Sequence, residues 1–299
     1  MHRRHLLGVA LLAAIASKPS GAVEAARLPV IATFSILGDM VATVGGSRVA
    51  VRTLVGPDQD VHIYEPTPKD LRDLVASAAV IENGLGLEGW MARLTGAAGF
   101  KGRIIQAAAQ VTPRTMKEDS GAIATDPHAW QNPRNGVLYV QAIAAGLSAA
   151  DPGHAAAYAD AAQHYADAIR QVDARIEAAF APIPPDQRRI ITTHDAFGYY
   201  GARYGIEFLA AEGISTESEP SAKAIAALVQ QIKREKIHAV FIENMTGDRM
   251  ARMLARETGA VLGGTVYSDA LSPPGGPAAT YLTMLDHNTH LFAAAMKRS

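Results

Sequence analysis

The sequence predicts an α/β protein with two (βα)4-type lobes, each built on a parallel sheet, joined by one long backbone helix. Four short apolar runs alternate with helical segments on either side of residues 151–181. That central stretch contains neither glycine nor proline between Gly153 and Pro182. Strands that alternate with helices are typical of βαβ units and parallel sheets. We therefore expect a first lobe at 26–150, a linking helix at 151–181 and a second lobe at 182–299.

The linking helix is the best-marked element of the chain. Asp151 is suited to cap its N-terminus, and Pro152 is suited to its first turn. About 30 residues at ~1.5 Å each give roughly 45 Å, enough to run the height of a two-lobed protein. Charged residues occupy one face of the helix, and the opposite face is predicted to be buried. The apolar residues that recur on that face are Tyr158, Tyr165, Ile169, Val172, Ile176 and Phe180.

In the first lobe, apolar runs predict four strands, and the segments between them predict helices. Thr67 and Asp70 mark one helix start, with Thr67 as the cap, Pro68 in the first turn and Asp70 at the third position. The glycines in 83–86 match no phosphate-binding motif and are expected to allow a tight turn. Residues 112–125 are expected to form a polar loop. The predicted strands are Leu28–Ser35, Val49–Val55, Ala78–Glu82 and Arg103–Val111.

The second lobe repeats this pattern. Amphipathic segments predict helices at 220–235 and 248–258, and a last helix that follows a Pro/Gly loop and ends near Met296. The predicted strands are Arg188–Thr193, Ile206–Ala210, Ala239–Ile242 and Ala260–Val266.

Composition and charge exclude several classes of function. The 299 residues are 48% hydrophobic and 19% charged, with a formal net charge of −1. This balance leaves no basic excess for binding nucleic acid. The chain contains no cysteine, which excludes disulfides, thiolate metal sites, cysteine nucleophiles and a lipid-modified N-terminal cysteine.

The N-terminus predicts an export signal peptide at residues 1–25. Arg3 and Arg4 supply its positive end, and Leu6–Ala16 supplies an apolar core that is shorter than the ~20 residues needed to span a bilayer. Small residues before Ala26 place the mature start there. We expect a periplasmic protein that is exported, soluble and not lipid-anchored, by either the general or the twin-arginine route.

Four side chains able to bind a metal follow predicted strands. In open α/β sheets, ligands gather beyond the carboxyl ends of the strands. His62 and His128 follow strands two and four of the first lobe, and His194 and Asp269 follow strands one and four of the second. A single histidine in a loop is most often solvated or hydrogen-bonded locally, but three at equivalent strand ends favour a shared metal site. If the two lobes face each other, all four side chains converge on one cleft.

Residues beside these side chains are candidates for orienting them. Asp60, Asp126 and Asp195 lie close in sequence to the histidines, and carboxylates commonly orient metal-binding imidazoles. Trp130, beside His128, is expected either to pack the cleft or to belong to the core.

Five stretches of the chain carry a family resemblance. They are His62–Pro68 (HIYEPTP), Asn83–Trp90 (NGLGLEGW), Asp126–Trp130 (DPHAW), Thr193–Tyr199 (THDAFGY) and Asp269–Ser272 (DALS). In this order, they resemble the periplasmic solute-binding proteins of zinc and manganese ABC transporters (cluster A-I), over essentially all of the mature chain. The resemblance implies two α/β lobes joined by one long helix. It also implies metal ligands at His62, His128, His194 and Asp269.

The resemblance also bears on the metal. Family members that resemble zinc binders have His at the third ligand position, as His194 is here, whereas manganese or iron binders often have Glu. Two features depart from the zinc pattern: residues 112–125 contain no histidine where zinc members often have a His-rich loop, and Val61 stands where some have Glu. Three imidazoles and one carboxylate suit tetrahedral zinc. We expect Zn²⁺ as the bound metal, with Mn²⁺ or iron as the alternative.

The resemblance implies extracytoplasmic capture of a divalent transition metal ion and its delivery to an ABC-type permease in the inner membrane. We expect a monomer that has no enzymatic activity and binds no nucleic acid, with a metallochaperone as a further candidate partner. One alternative is a zinc hydrolase with a three-histidine site and Asp269 as its base, although the sequence has no HExxH motif and no Gly-x-Ser-x-Gly elbow. Another is a binding protein for an organic solute such as a siderophore, favoured only by Trp130.

Overall fold

The computed structural model describes residues 27–117, 123–211, 213, 215–217 and 220–297. The predicted signal peptide lies outside these residues. The strands are β1 Leu28–Phe34, β2 Val49–Val55, β3 Ala79–Glu82, β4 Arg103–Gln106, β5 Arg114–Lys117, β6 Ile123–Asp126, β7 Arg189–Thr192, β8 Glu207–Ala210, β9 Ala239–Glu243 and β10 Val261–Val266. The helices are α1 Ser35–Gly45, α2 Pro68–Ala76, α3 Met91–Ala98, α4 Pro133–Ala150, α5 Ala155–Phe180, α6 Gly198–Tyr204, α7 Ala222–Glu235, α8 Arg249–Thr258 and α9 Tyr281–Met296.

Two four-stranded sheets organise the chain, one on each side of α5 in sequence. Their strand orders are β2-β1-β3-β4 and β10-β9-β7-β8, and neighbouring strands in both are parallel. We call the parts built on them the first lobe and the second lobe. Central strand β1 is buried from Val30 to Phe34, as expected for a parallel sheet covered on both faces. The predicted fold class, two parallel α/β lobes with one long helix, is confirmed.

Helix α5 packs against helices of both lobes. Its neighbours include α1 and α4 from the first lobe and α6 and α9 from the second. Its 26 residues span roughly 39 Å at ~1.5 Å per residue. Every residue of the predicted apolar face is buried: Tyr158, Tyr165, Ile169, Val172, Ile176 and Phe180. The amphipathic pattern therefore identified the face on which the two lobes are assembled.

The start of this helix differs in detail from the sequence prediction. A short 3-10 turn, Pro152–His154, precedes the α-helical residues. The Asp151 carboxylate accepts a hydrogen bond from the Tyr158 hydroxyl at 2.7 Å and lies 2.7 Å from Nδ1 of His154. The Asp151 carboxylate therefore pairs with side chains instead of with the backbone N–H groups that it was expected to cap. In contrast, the predicted start of α2 is confirmed, because Thr67 and Asp70 form a reciprocal capping box.

The segment before His128 also differs from the prediction. The fourth strand of the first sheet ends at Gln106 rather than at residue 111, and β5 and β6 form an antiparallel hairpin where a polar loop was expected. His128 therefore follows a hairpin strand instead of a strand of the parallel sheet. Each hairpin strand has only four residues, and Ile123 is 77% exposed. The sequence gives little sign of such short, exposed strands, because pairing with each other supplies most of their stability.

Among the described residues, none of the helices combines the length and apolar character needed to cross a membrane.

Candidate metal centre

Four side chains from the two lobes meet in one buried cluster. They are His62, His128, His194 and Asp269, and the potential ligand atoms all lie within 4.8 Å of one another. Nε2 of His62 lies 3.3 Å from Nε2 of His128 and 3.1 Å from Oδ2 of Asp269. Nε2 of His194 is also 3.1 Å from that oxygen. The structure thus brings together all four side chains that the sequence singled out.

The position of each side chain follows from the topology of the lobes. His62 lies in the loop between β2 and α2, and His128 lies between β6 and a 3-10 turn at Ala129–Gln131. His194 follows β7, and Asp269 follows β10. The strands of a parallel sheet end at a common edge, so loops from both lobes reach the same cleft. His62 is 6% exposed and the other three are 0% exposed.

Buried carboxylates contact two of the imidazoles on the side away from the cluster. Oδ1 of Asp126 lies 2.9 Å from Nδ1 of His128, and Oε2 of Glu243 lies 2.6 Å from Nδ1 of His194. Such partners fix the tautomer and ring orientation, leaving Nε2 free to bind a metal. Of the three aspartates proposed from sequence, Asp126 therefore contacts an imidazole. Asp60 acts on the backbone instead, because its Oδ1 accepts a hydrogen bond from the His62 N–H at 2.9 Å.

The sequence reasoning missed Glu243. This residue ends β9 and is fully buried. Its Oε1 accepts hydrogen bonds from the backbone N–H groups of Thr193 and His194, at 2.9 and 2.8 Å, and from the Thr193 hydroxyl at 2.6 Å. A signal was present, because Glu243 is the charged residue at the carboxyl end of an otherwise apolar strand, where ligand-binding groups gather.

Trp130 packs against both the cluster and the core. Its ring lies 5.3 Å from the His128 ring and 5.0 Å from the Phe34 ring, centroid to centroid, and it is 0% exposed. Both roles considered from the sequence therefore apply to this one side chain.

The electrostatics of the cluster favour positive charge at its centre. Burial by itself would lower the pKa of His128, but the Asp269 and Asp126 carboxylates raise it to about 9. Burial likewise opposes the imidazolium of His194, yet Glu243 and Asp269 hold its pKa well above the usual value. The same pairings lower the pKa of Asp269 and of Glu243 against the effect of burial. The buried carboxylates thus stabilise positive charge at the cluster, carried either by protonated histidines or by a bound metal cation.

Oδ1 of Asp269, at the centre of the cluster, is buried and has no hydrogen-bond partner among the described residues. An unpaired buried polar atom costs free energy, which a bound cation would offset. Three imidazoles and a carboxylate suit a divalent transition metal, whereas magnesium and calcium prefer sites built from oxygen ligands. Fold and site together define a two-lobed binding protein for a divalent metal ion.

Comparison with known proteins gives the family. The family profile described as "Zinc-uptake complex component A periplasmic" (ZnuA) matches residues 30–295, and the chain belongs to this family. The manganese-binding lipoprotein MntA of Bacillus subtilis is 31% identical, over 99% of this chain and 100% of the relative. The iron-binding protein YfeA of Yersinia pestis is 30% identical, over 88% of this chain and 84% of the relative.

Solved structures agree with this assignment. The periplasmic zinc binding protein TroA from Treponema pallidum superposes with a TM-score of 0.85 at 27% identity, covering 91% of this chain and 99% of that one. A manganese-bound periplasmic metal binding protein from Candidatus Liberibacter asiaticus gives a TM-score of 0.81 at 28% identity, covering 90% and 100%. The predicted family and function are confirmed: the chain is a substrate-binding protein that captures a divalent transition metal outside the cytoplasm for an ABC transporter.

One prediction about location is wrong. The relatives from Streptococcus mitis, Halalkalibacterium halodurans and Bacillus subtilis are named lipoproteins, which contradicts the expectation of a protein without a lipid anchor. The missing cysteine excludes only one chemical route of attachment, acylation of an N-terminal thiol. The extracytoplasmic part of the prediction is supported by the same comparisons.

Proposed function

We propose that this chain binds Zn²⁺ as its transported substrate through His62, His128, His194 and Asp269, and hands it to an ABC permease in the inner membrane. The observation that carries the proposal is the buried cluster of three imidazoles and one carboxylate within 4.8 Å. Zinc prefers four tetrahedral ligands of this kind, at about 2.0–2.2 Å. The Asp126 and Glu243 carboxylates contact Nδ1 of His128 and of His194, respectively, and these contacts support the two imidazoles as metal ligands.

Zinc is favoured over manganese by the chemistry of the donors. Nitrogen ligands bind zinc more tightly than manganese in the usual affinity order, and manganese prefers carboxylates, carbonyls and water. Manganese is the second candidate because the relative from Bacillus subtilis is named for manganese. Iron is a further candidate because the relative from Yersinia pestis is named for iron. Asp269 could also supply both oxygens, since Oδ1 lies 3.6 Å from Nε2 of His128 and Oδ2 lies 3.1 Å from Nε2 of His62.

We propose binding without catalysis. Catalytic zinc sites keep one position open for water or substrate. Here the Asp269 carboxylate lies 3.1 Å from two of the imidazole nitrogens, where it would fill the fourth position instead of acting as a base. The four side chains are 6% exposed or less, which supports capture of a bare ion over turnover of a larger substrate.

One chain is sufficient for the proposed site, because it supplies all four ligands. We therefore propose a monomer, which sedimentation of the metal-loaded protein would test. A metallochaperone is proposed only as a donor of zinc, tested by transfer of zinc between the two purified proteins.

The decisive experiment is metal analysis of the purified protein with competition titration of zinc against manganese. We expect one zinc per chain and tighter binding of zinc than of manganese. His194→Ala should lose zinc affinity severely, whereas His164→Ala should not, because His164 lies exposed on α5. Tighter binding of manganese would overturn the choice of metal, and unchanged zinc affinity in His194→Ala would overturn the ligand assignment.

A further inference from the structure

Three of the four proposed ligands follow a carbonyl group that a buried side chain holds in place. Nε1 of Trp90 donates to the Val61 carbonyl, next to His62, at 2.9 Å. Nδ2 of Asn83 donates to the Pro127 carbonyl, next to His128, at 2.9 Å. The Ser268 carbonyl, next to Asp269, accepts from Nε1 of Trp130 at 2.9 Å and from Nε2 of Gln131 at 2.7 Å.

From this pattern we propose that Trp90, Asn83, Trp130 and Gln131 are positioning residues that set the spacing of the metal ligands. The proposal rests on the function proposed above. A peptide group is planar, so its carbonyl and the N and Cα of the next residue move together. A donor that fixes the carbonyl before a ligand therefore fixes the point from which the ligand side chain projects. The four donor residues are 4% exposed or less, where such a hydrogen bond is costly to break.

In the first lobe, one loop carries two of these donors. Asn83 and Trp90 stand at the two ends of residues 83–90. The Glu88 carboxylate closes this loop, because it accepts hydrogen bonds from the Asn83 N–H at 2.7 Å and from the Thr33 hydroxyl of β1 at 2.7 Å. Leu85 has a φ of 57° between two glycines that also have positive φ, which gives the tight turn its shape. The loop thus links the peptides that carry His62 and His128 as a single unit.

Between the lobes, Trp130 and Gln131, which follow His128, likewise hold the carbonyl that precedes a proposed ligand. Trp130 and Gln131 belong to the first lobe, and the Ser268 carbonyl that they hold belongs to the second. Trp130 is itself fixed by the Tyr281 hydroxyl, which donates to its carbonyl at 2.6 Å. The two hydrogen bonds to Ser268 therefore set the separation between His128 and Asp269 across the cleft.

This arrangement bears on which metal is bound. Ligands held at fixed spacing suit a metal with four short bonds in one geometry, as zinc has. Loosening a ligand-bearing peptide should weaken zinc binding more than manganese binding, because manganese accepts oxygen ligands and water in place of a displaced group. The positioning residues are therefore expected to determine specificity as well as affinity.

The test uses Trp90→Phe and Gln131→Met, which remove one donor each and keep much of the side-chain volume. Tyr200→Phe is the matched control, because it removes a buried hydroxyl that bonds to Thr289 at 2.7 Å and contacts none of the proposed ligands. Zinc and manganese affinities are measured by competition, and the visible spectrum of bound Co²⁺ reports the geometry of the site.

We expect both donor variants to lose about tenfold to a hundredfold in zinc affinity, to lose less in manganese affinity, and to shift the Co²⁺ spectrum. The control should match the wild type in all three readouts, whatever its thermal stability. If Trp90→Phe fails to fold, Gln131→Met alone decides, because methionine is close in volume to glutamine. Wild-type affinities and spectra in both donor variants would overturn this inference and leave the proposed function standing. A wild-type protein that binds no metal would overturn both.

Discussion

Replacing Glu243 with Gln tests how a buried carboxylate supports the proposed site. The change keeps the volume of the side chain and removes its charge, 2.6 Å from Nδ1 of His194. A full charge pair at that distance would be worth about 6 kcal/mol at an effective dielectric of ~20. The metal-bound imidazole is neutral, however, and glutamine still offers an oxygen acceptor. We therefore expect Glu243→Gln to lose zinc affinity by an amount nearer to the tenfold to hundredfold typical of such partners, about 1.4–2.7 kcal/mol.

The size of this loss should depend on pH. Without metal, Glu243 and Asp269 raise the pKa of His194, so a proton competes with the metal for Nε2. Removing Glu243 weakens that competition, which favours metal binding most where wild-type His194 is protonated. The penalty in Glu243→Gln should therefore be largest at high pH and should shrink as the pH falls.

The assay is competition titration of zinc at several pH values between 6 and 9, by wild type and by Glu243→Gln. Asp173→Asn is the control, because Asp173 is a hydrogen-bonded carboxylate on α5 that pairs with Arg203 at 2.9 Å. It should lower stability and leave zinc affinity unchanged. A Glu243→Gln affinity within twofold of wild type at high pH, or a penalty that grows as the pH falls, would refute the reasoning.

Three further predictions follow from the structure. Zinc binding at pH 7 should release about two protons, because the raised pKa values of His128 and His194 keep both side chains protonated in the metal-free protein. Calorimetry in buffers of different ionisation enthalpy measures the number of protons released. Release of less than one proton would contradict the prediction. The metal-free protein should lose stability as the pH rises from ~6.5 through about 9, and His128 alone should account for about 3 kcal/mol of that loss, because its pKa is raised in the folded state and its contribution is complete only below the unfolded value. Thermal unfolding with a chelator should show the decline, and a stability that rises over this range would refute it. Thr67→Ala should cost about 1 kcal/mol in unfolding free energy, because it removes the cap of α2; denaturant titration tests this, and an unchanged midpoint and slope would contradict it.

Much of the site could be predicted because strand ends are visible in the sequence. His62, His194 and Asp269 each follow an apolar run that ends in turn-forming or polar residues, and parallel topology directs such positions to one edge of a sheet. His128 was placed beside them although its strand was misassigned, since the hairpin that carries it still delivers it to the same cleft. Glu243 was missed because its partner His194 follows a different strand, β7, and lies 49 residues away in the chain.

The sequence by itself determined the class of fold, the buried face of α5 and the side chains that could bind a metal. These features are local, because periodicity, turn residues and residue type are all written within a few positions of each other. The tertiary structure alone decided which groups support those side chains: Glu243 behind His194, Trp90 at the carbonyl before His62, and Trp130 across the cleft at Ser268. Such hydrogen bonds join residues far apart in sequence, and they exist only once packing has excluded water and left each donor a single buried acceptor.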